Sequence, residues 1–274
     1  MHPNPNKYEP FGTYALTGVN KALLDLAQGL GEGWLAHRMG LVLRKMVLQN
    51  RRQVIDGESL GLKARFYPLS DLGDRHLLFL PGSFNRDEFR LMAQTLRPDD
   101  VFVDIGANVG MFSLWAAKKI KAKNHIFSLE PNPVTFERLL FNMRLNDQAG
   151  VIVPLQVGVA DRESYFDLHV DPRNAGGSSI MDTHVPHNFP SAKIFCRPLL
   201  SILQEQGVTK IDLLKIDIEG AEEMALNPFF QNAPRSLFPK RVFIESESAI
   251  DFPGLGYTFL RRTTSHNSVY ELRK

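Results

Sequence analysis

The feature that most constrains this 274-residue chain is the stretch 101–114, where a buried strand, a glycine turn and a helix follow one another. Residues 101–105 are β-branched, aromatic or acidic, a pattern typical of a parallel strand covered on both faces. Gly106 and Gly110 permit the positive φ angles and the close ligand approach that a sharp turn needs. From Met111 the apolar spacing becomes helical. The pattern predicts a cofactor cradle at the carboxyl edge of a parallel sheet.

Two acids favour one cofactor class over another. Asp104 stands two residues before Gly106, where it would repel a pyrophosphate, and Asn108 replaces the middle glycine of a dinucleotide motif. S-adenosylmethionine carries an ammonium and a sulfonium instead of phosphates, so Asp104 would attract it. Glu130 follows the next predicted strand, 125–129, where it is placed to accept both hydroxyls of a ribose. The two acids therefore favour S-adenosylmethionine over NAD.

Three motifs in this chain resemble those of the FkbM-like class I S-adenosylmethionine-dependent methyltransferases. They are F-V-D-I-G-A-N-V-G at 102–110, E-P-N-P at 130–133 and L-K-I-D-I-E-G-A-E at 214–222, and the resemblance covers residues 85–250. It implies a Rossmann-like α/β fold, with a mostly parallel twisted sheet, helices on both faces and a C-terminal antiparallel hairpin. It also implies methyl transfer, usually to an oxygen of a sugar or a natural product.

The resemblance extends the set of predicted cofactor contacts around the first three strands. In class I methyltransferases the turn after the third strand borders the adenine, so Asp161 is a candidate acceptor for the exocyclic amine, and a turn-capping aspartate is the alternative. The cofactor-binding residues predicted in this way are Asp104, Gly106, Ala107, Asn108, Gly110, Glu130, Pro131, Asn132, Ala160, Asp161 and Asp217.

Charged residues gather at the end of the predicted fourth strand, 211–220. Strand alternation puts Lys215, Asp217 and Glu219 on one face. Charges in a central strand are costly unless they are paired or functional, so they mark the ligand crevice, with a structural Lys215–Asp217 ion pair as the alternative. We predict that Asp217 and Glu219 orient or deprotonate an acceptor hydroxyl, with Glu245 as a third acid. Three acids could also hold a divalent cation, but the sequence offers no complete ligand set and we predict no metal site.

Residues 1–84 are predicted to form an extension that caps the site or mediates homo-oligomerisation, ahead of a methyltransferase domain at 85–274. The extension contains predicted helices at 19–30 and 34–49 and short antiparallel strands at 54–80. The second helix carries a broad apolar face, which would pack on its own domain, a second subunit or a membrane surface.

Two further features surround the predicted core. Glu88, in a predicted helix at 85–96, is either a helix-start acid or a residue of the cofactor pocket. A hairpin inserted at 163–198 has a flexible Gly-Ser turn at 174–179, which we expect to face the substrate. His184 and His187 lie in this insertion and are interpreted as loop histidines rather than a metal pair.

Composition narrows the classes of partner and location. The 32 basic and 30 acidic residues are scattered, and the net charge of +2 argues neither for nor against nucleic acid. Because the sequence has no Asn/Asp-Pro-Pro-aromatic motif and no basic patch with interleaved aromatic residues, we predict a small-molecule or glycan acceptor and no nucleic-acid partner. The single cysteine, Cys196, suits a reducing cytoplasm. Neither a transmembrane run nor a signal-peptide pattern is recognisable, so we predict a cytoplasmic protein. A non-catalytic S-adenosylmethionine-binding scaffold and an NAD-linked oxidoreductase remain the alternative functions.

Overall fold

The computed structural model describes residues 9–31, 33–50, 53–148, 150–171, 174–181, 190–245, 248–263 and 267–273. The α-helices of these residues are α1 Gly18–Gln28, α2 Trp34–Val47, α3 Leu72–Phe79, α4 Arg86–Thr95, α5 Met111–Ala116, α6 Pro133–Leu145, α7 Leu199–Glu205 and α8 Glu222–Asn232. The strands are β1 Ile55–Ser59, β2 Leu62–Phe66, β3 Phe102–Ile105, β4 Ile126–Leu129, β5 Ile152–Leu155, β6 Gly158–Val159, β7 Ser164–Asp171, β8 Asn174–Ser179, β9 Ser191–Arg197, β10 Leu213–Ile216, β11 Arg241–Glu245, β12 Tyr257–Arg262 and β13 Asn267–Leu272.

A seven-stranded sheet with the order β12-β13-β11-β10-β3-β4-β5 forms the centre of the molecule. The five strands from β5 to β11 are parallel, and β13 runs antiparallel to both β11 and β12. The chain proceeds outward from β3 to β5 and then returns to β10 on the other side of β3. Ligands bind at such a topological switch point, outside the carboxyl ends of the strands. The predicted fold class, including the C-terminal hairpin, is confirmed.

Side chains from the two faces of the sheet enter two separate hydrophobic clusters. Phe102, Leu213 and Phe243 point to the face that the N-terminal elements cover. Val103 and Leu214, one position along, point to the opposite face and pack with α7 and α8. This alternation is what the period of a strand requires, and it explains why both faces of the strands are apolar.

The segment 54–80 differs from its prediction as a run of strands. The β1–β2 hairpin turns at Leu60 and Gly61, which both have positive φ. Residues 72–79 form α3 because the Asp71 carboxylate accepts a hydrogen bond from the Asp74 N–H at 3.0 Å and caps the helix. The prediction of a strand there was wrong.

The N-terminal elements and the core strands contribute to one hydrophobic cluster. Leu24 of α1, Val47 of α2 and Phe66 of β2 belong to the same cluster as Phe102 of β3. The boundary at residue 84 stays a prediction. Glu88 lies within this packing and not at a pocket wall, since its Oε1 accepts from Thr263 Oγ1 at 2.6 Å and from Asn267 Nδ2 at 3.2 Å. It links α4 to the C-terminal hairpin.

A second, four-stranded sheet with the order β6-β9-β7-β8 lies beside the core and is called the small sheet below. The third core strand, which we expect from the sequence to span residues 151–159, is divided between β5 in the main sheet and β6 in the small sheet. The predicted flexible turn at 174–179 is strand β8, which pairs with β7. His184 and His187 lie outside the described residues. Among the helices described, none has the length and hydropathy of a transmembrane span.

Candidate active site

A cavity of about 310 Å³ opens at the carboxyl ends of β3, β4 and β10, the switch point of the main sheet. Its walls come from the loops that follow these strands, from the small sheet and from the start of α3. Pockets for small molecules typically measure about 300–1,000 Å³. The cavity is therefore large enough for a cofactor-sized ligand and lies where the fold places one.

The glycine turn after β3 is held on both sides by backbone contacts. Gly106 has a φ of +74°, and a Cβ at this position would stand 2.1 Å from the carbonyl oxygen of Asp217. The N–H groups of Gly106 and Ala107 both donate to the carbonyl oxygen of Leu129, each at 3.0 Å. The turn therefore touches β4 on one side and the loop after β10 on the other, and only glycine fits at position 106.

Glu130 holds the turn and the start of α6 with its two carboxylate oxygens. Oε2 accepts from the Asn108 N–H and Oε1 from the Asn132 N–H, each at 2.9 Å. Burial raises the pKa of Glu130 to about 7, although both N–H groups lower it. A carboxylate has about four acceptor positions, so each oxygen retains one for a further donor such as a ribose hydroxyl.

Asn108 adds a polar atom to the same wall of the cavity. It has a φ of +51°, a left-handed conformation that asparagine tolerates better than most residues. Its Oδ1 atom is buried and has no hydrogen-bond partner in the described part of the chain. An unpartnered acceptor beside Glu130 is suited to a ligand that brings donors.

Lys215 and Asp217 form an ion pair at the wall opposite Glu130. The Lys215 Nζ lies 3.0 Å from Asp217 Oδ2 and 4.7 Å from the centroid of the Phe112 ring, and only 4% of the lysine side chain is exposed. Burial by itself lowers the pKa of Lys215, but Asp217 and Asp104 raise it more, so the net shift is upward. The ion pair considered as the alternative from the sequence is present, and both partners line the cavity.

Glu219 follows Asp217 in the loop after β10 and also lines the cavity. Burial, followed by repulsion from Asp217, Glu245 and Glu222, raises its pKa to about 7. Its backbone has a φ of +54°, and its carbonyl oxygen accepts from Ser179 Oγ of the small sheet at 2.7 Å. A carboxyl group that titrates near neutral pH serves as a general base at that pH.

The structure brings most of the predicted site residues to the cavity wall but leaves some of them outside it. Those that line the cavity are Gly106, Ala107, Asn108, Glu130, Pro131, Asn132, Asp217 and Glu219. Those that do not line it are Asp104, Gly110, Ala160, Asp161 and Glu245. No group of three potential metal ligands occurs among the residues described.

Asp104 lies beneath the glycine turn and is fully buried. Its Oδ2 accepts from Ser113 Oγ at 2.6 Å, and Ser113 Oγ accepts from Ser128 Oγ at 2.6 Å. Burial raises the pKa of Asp104, against the attraction of Lys215. Asp104 does not line the cavity because its side chain points toward the start of α5. Any effect of Asp104 on a ligand would pass through the turn or through its charge.

The other four outlying residues have separate explanations. Gly110 is the N-cap of α5 and packs against Leu139, while Ala160 is completely buried. Asp161 is exposed and pairs with Arg162 at 3.1 Å. Glu245 ends β11 and affects Glu219 through its charge. Direct contact of these residues with a ligand stays a prediction.

The wall that α3 and the small sheet form is called the far wall below. None of its residues was assigned to the site from the sequence. They are Asp71, Leu72, Gly73, Asp74, Leu77, Phe84 and Asn85 around α3, with Leu168, Ile180, Ile194 and Cys196 from the small sheet. Arg138 of α6 fixes the start of α3, with Nη1 3.2 Å from Asp71 Oδ2 and Nη2 bonded to Asp74. The cap Asp71 ahead of an apolar run was the one signal that could have predicted α3.

The chain is similar in sequence to known methyltransferases. The chain matches the Methyltransferase FkbM domain family over residues 104–272. It is 27% identical over 219 residues to the hexuronic acid methyltransferase AglP of Haloferax volcanii, an alignment that covers 80% of this chain and 81% of that protein.

Two other similarities are more limited in extent or in identity. The 31-O-demethyl-FK506 methyltransferase FkbM of Streptomyces tacrolimicus is 30% identical over 156 residues, which cover 48% of this chain and 60% of that protein. The crystal structure of methyltransferase FkbM from Methylobacillus flagellatus aligns with a TM-score of 0.41 and 15% identity, covering 91% of this chain and 58% of that chain.

Proposed function

We propose, since the chain belongs to the FkbM methyltransferase family, that it transfers a methyl group from S-adenosylmethionine to a hydroxyl oxygen of a sugar, a glycan or a secondary metabolite. One observation carries the proposal. Glu130 lies on one side of the Gly106 turn, Asp217 and Glu219 lie on the other, and all three face one cavity. The carboxylate that would bind the cofactor ribose and the acids that would act on the substrate hydroxyl therefore line the same cavity.

The residues of the cavity fit S-adenosylmethionine better than a dinucleotide. Glu130 retains acceptor positions for a ribose diol, and Asn108 Oδ1 is a buried acceptor without a partner in the described residues. The acids Asp217 and Glu219 would repel a pyrophosphate and attract a sulfonium or an ammonium. When bound, S-adenosylmethionine supplies an electrophilic methyl group on its sulfonium.

We assign different roles in the reaction to Asp217 and Glu219, the two acids that follow β10. We assign Glu219 the role of proton acceptor for the hydroxyl, because its pKa of about 7 leaves it partly ionised at neutral pH. We assign Asp217 the orientation of that hydroxyl, because Lys215 fixes its carboxylate at 3.0 Å. In-line displacement depends on such alignment of the attacking oxygen.

We infer the chemical class of the methyl acceptor from the names of the relatives and from the residues of the far wall of the cavity. One relative is named for hexuronic acid and another for 31-O-demethyl-FK506. In this chain the far wall combines apolar Leu77 and Phe84 with Asp71 and Asp74, whose carboxylates are bonded to Arg138. Apolar surface with a few acceptors suits the face of a sugar ring or a hydroxylated metabolite.

Two measurements test the proposal. Titration calorimetry should detect binding of S-adenosylmethionine, and NAD should not compete; binding of NAD alone would overturn the cofactor assignment. Incubation with methyl-labelled cofactor and a panel of hexuronic acid glycosides, neutral glycosides and hydroxylated polyketides should transfer label, and mass spectrometry of the product should locate an O-methyl group. Cofactor binding with no transfer to any hydroxyl, or transfer to nitrogen, would overturn the assigned reaction.

A variant pair separates chemistry from binding. Asp217→Asn should lower turnover at least tenfold and by more than it weakens S-adenosylmethionine binding, because the side chain keeps its size but loses its charge and its bond to Lys215. Asp251→Asn, at an exposed loop position, is the matched control. Unchanged turnover in Asp217→Asn would remove Asp217 from the mechanism.

A further inference from the structure

Exposed apolar side chains concentrate on the two N-terminal helices. Of twelve exposed large hydrophobic side chains in the described chain, seven belong to α1 and α2: Val19, Leu26, Trp34, Leu35, Met39, Val42 and Met46. The two helices pack against each other and against α3. A folded protein seldom leaves so much apolar surface in one place without a binding partner for it.

The exposed residues of α2 form a row along one side of the helix. Leu35, Met39, Val42 and Met46 are spaced at intervals of four, three and four residues, which puts them on one narrow sector of an α-helix. Leu43 and Val47 lie on the adjacent sector and are buried. The broad apolar face seen in the sequence is therefore divided, with one part packed in the protein and the other part facing solvent.

A close contact determines which side of α2 faces outward. Gly40 lies on the inner side, and a Cβ there would stand 2.3 Å from Leu80 Cδ2, just beyond the end of α3. A helix that approaches this closely cannot rotate its exposed row inward without losing the contact. The outward position of Met39 and Val42 thus follows from the packing of the other side.

Cationic side chains border the apolar row. Arg38 and Lys45 are exposed and lie seven residues apart, so they occupy one edge of the row, and the Arg38 guanidinium lies 5.4 Å from the Trp34 ring. The sequence from 33 to 55 contains five arginines and lysines and no acid. On α1 the acid Asp25 pairs with Lys21. The surface formed by α1 and α2 therefore combines apolar and cationic side chains.

We propose that the exposed apolar side chains of α1 and α2, called the α1–α2 face, dock on an anionic lipid surface; they are Val19, Leu26, Trp34, Leu35, Met39, Val42 and Met46. The apolar row would enter the boundary between headgroups and acyl chains, with Arg38 and Lys45 beside anionic headgroups and Trp34 at the interface. A second copy of the chain fits less well. A two-fold contact between antiparallel α2 helices would bring identical cationic edges together, and Asp25 is already paired with Lys21.

The docking face and the cavity are connected through α3. The C-terminal end of α3 meets Gly40 of α2, and its N-terminal residues Leu72 and Gly73 line the cavity. A protein held at a lipid surface by α1 and α2 would therefore keep its cavity close to that surface, since α3 is only eight residues long. The docking proposal does not depend on the reaction proposed above.

Vesicle binding by the full chain tests this proposal. Phosphatidylcholine vesicles with about one third phosphatidylglycerol should sediment at least about tenfold more protein than vesicles of phosphatidylcholine alone, and high salt should reduce the difference. Trp34 emission should shift to shorter wavelength on binding. Trp34→Phe should abolish that shift, because the other tryptophan, Trp115, lies in an internal aromatic cluster 5.3 Å from Phe89.

Surface variants identify the residues responsible. Met39→Glu with Val42→Glu should lower binding to anionic vesicles at least about tenfold, and Arg38→Glu with Lys45→Glu should do the same. Tyr165→Glu, at an exposed aromatic residue of the small sheet, is the matched control and should bind as the wild type does. Thermal unfolding checks that each variant folds. If a variant does not fold, the vesicle sedimentation and the Trp34 fluorescence of the wild-type protein test the docking proposal.

Three outcomes would overturn the proposal. The first is no sedimentation with anionic vesicles at low salt. The second is equal binding to neutral vesicles that salt does not change. The third is a dimer in solution that Met39→Glu with Val42→Glu dissociates, without vesicle binding by the wild type, which would assign the α1–α2 face to a second copy of the chain.

Discussion

The carbonyl oxygen of Asp217 lies so close to Gly106 that a Cβ on residue 106 would stand 2.1 Å from it. The loop that carries the proposed cofactor turn and the loop that carries the proposed catalytic acids therefore touch backbone to backbone. The Asp217 N–H also donates to the carbonyl oxygen of Ile105 at 3.1 Å. Relative displacement of the two loops would break this contact, so the cofactor side and the acceptor side of the cavity are held in fixed register.

Gly106→Ala should destabilise the protein and abolish cofactor binding. The substitution adds a steric clash with backbone, which should cost about 1–3 kcal/mol, to the strain of a positive φ. Gly207→Ala is the matched control, because Gly207 has a similar φ of +67° and no heavy atom within 4 Å of its Cβ position. Urea unfolding and calorimetry with S-adenosylmethionine measure both effects. Equal losses of stability in the two variants would show that the contact with Asp217 is unimportant.

Glu130→Gln should weaken S-adenosylmethionine binding about tenfold or more at pH 8. The amide has one acceptor oxygen in place of two, so one of the N–H groups of Asn108 and Asn132 would lose its partner. The wild-type advantage should shrink at pH 6, because the pKa of Glu130 is about 7 and the protonated acid accepts less well. Calorimetry at both pH values measures this, with exposed Glu137→Gln as the control. Wild-type affinity in Glu130→Gln would contradict the assigned ribose contact.

Turnover at saturating cofactor should rise with pH through an apparent pKa near 7. Glu219 must be ionised to accept a proton, and burial with its acidic neighbours raises its pKa to about 7. Glu219→Gln should lower kcat about 10²–10⁴-fold and remove this step from the pH profile. Glu223→Gln, on the exposed side of α8, should keep both the rate and the step. Persistence of the step in Glu219→Gln would assign it to another group.

Sequence reasoning succeeded where local pattern and tertiary environment agree. The strands β3, β4, β10 and β11 are short apolar runs, and burial on both faces of a parallel sheet requires that composition. It failed for β8, because the Gly-Gly-Ser-Ser stretch has little intrinsic strand propensity and forms a strand only by pairing with β7. It failed for α3 because Leu72-Gly73-Asp74 resembles a turn unless the Asp71 cap is noticed.

The sequence predicts the part of the site that follows the core strands, but not the far wall. Motif residues such as Glu130 and Asp217 follow core strands, so the fold brings them to the switch point. The far wall comes from segments outside the three motifs, and no local pattern encodes where α3 and the small sheet come together. Asp104 illustrates the limit within a motif, because the backbone position was predictable but the rotamer that turns its carboxylate to Ser113 was not.

Arg138→Met should destabilise the protein more at pH 8 than at pH 5.5. The variant leaves the buried carboxylates of Asp71 and Asp74 without their cation, and removing one partner of a buried ion pair costs about 3–5 kcal/mol. Burial raises the pKa of Asp74 to about 7 against the attraction of Arg138. A raised pKa favours the protonated form in the folded state, so Asp74 is largely neutral at pH 5.5 and the missing cation matters less there.

Urea unfolding of wild type and variant at the two pH values measures this difference. Arg162→Met is the matched control, because Arg162 pairs with Asp161 at the surface, where the loss should stay within about 1 kcal/mol at either pH. An Arg138→Met variant with equal losses at pH 8 and pH 5.5, or with no greater loss than Arg162→Met, would contradict the role of Arg138 as the cation that holds the start of α3. Because α3 begins at the cavity wall, a weakened anchor should also raise the KM for the acceptor more than that for the cofactor.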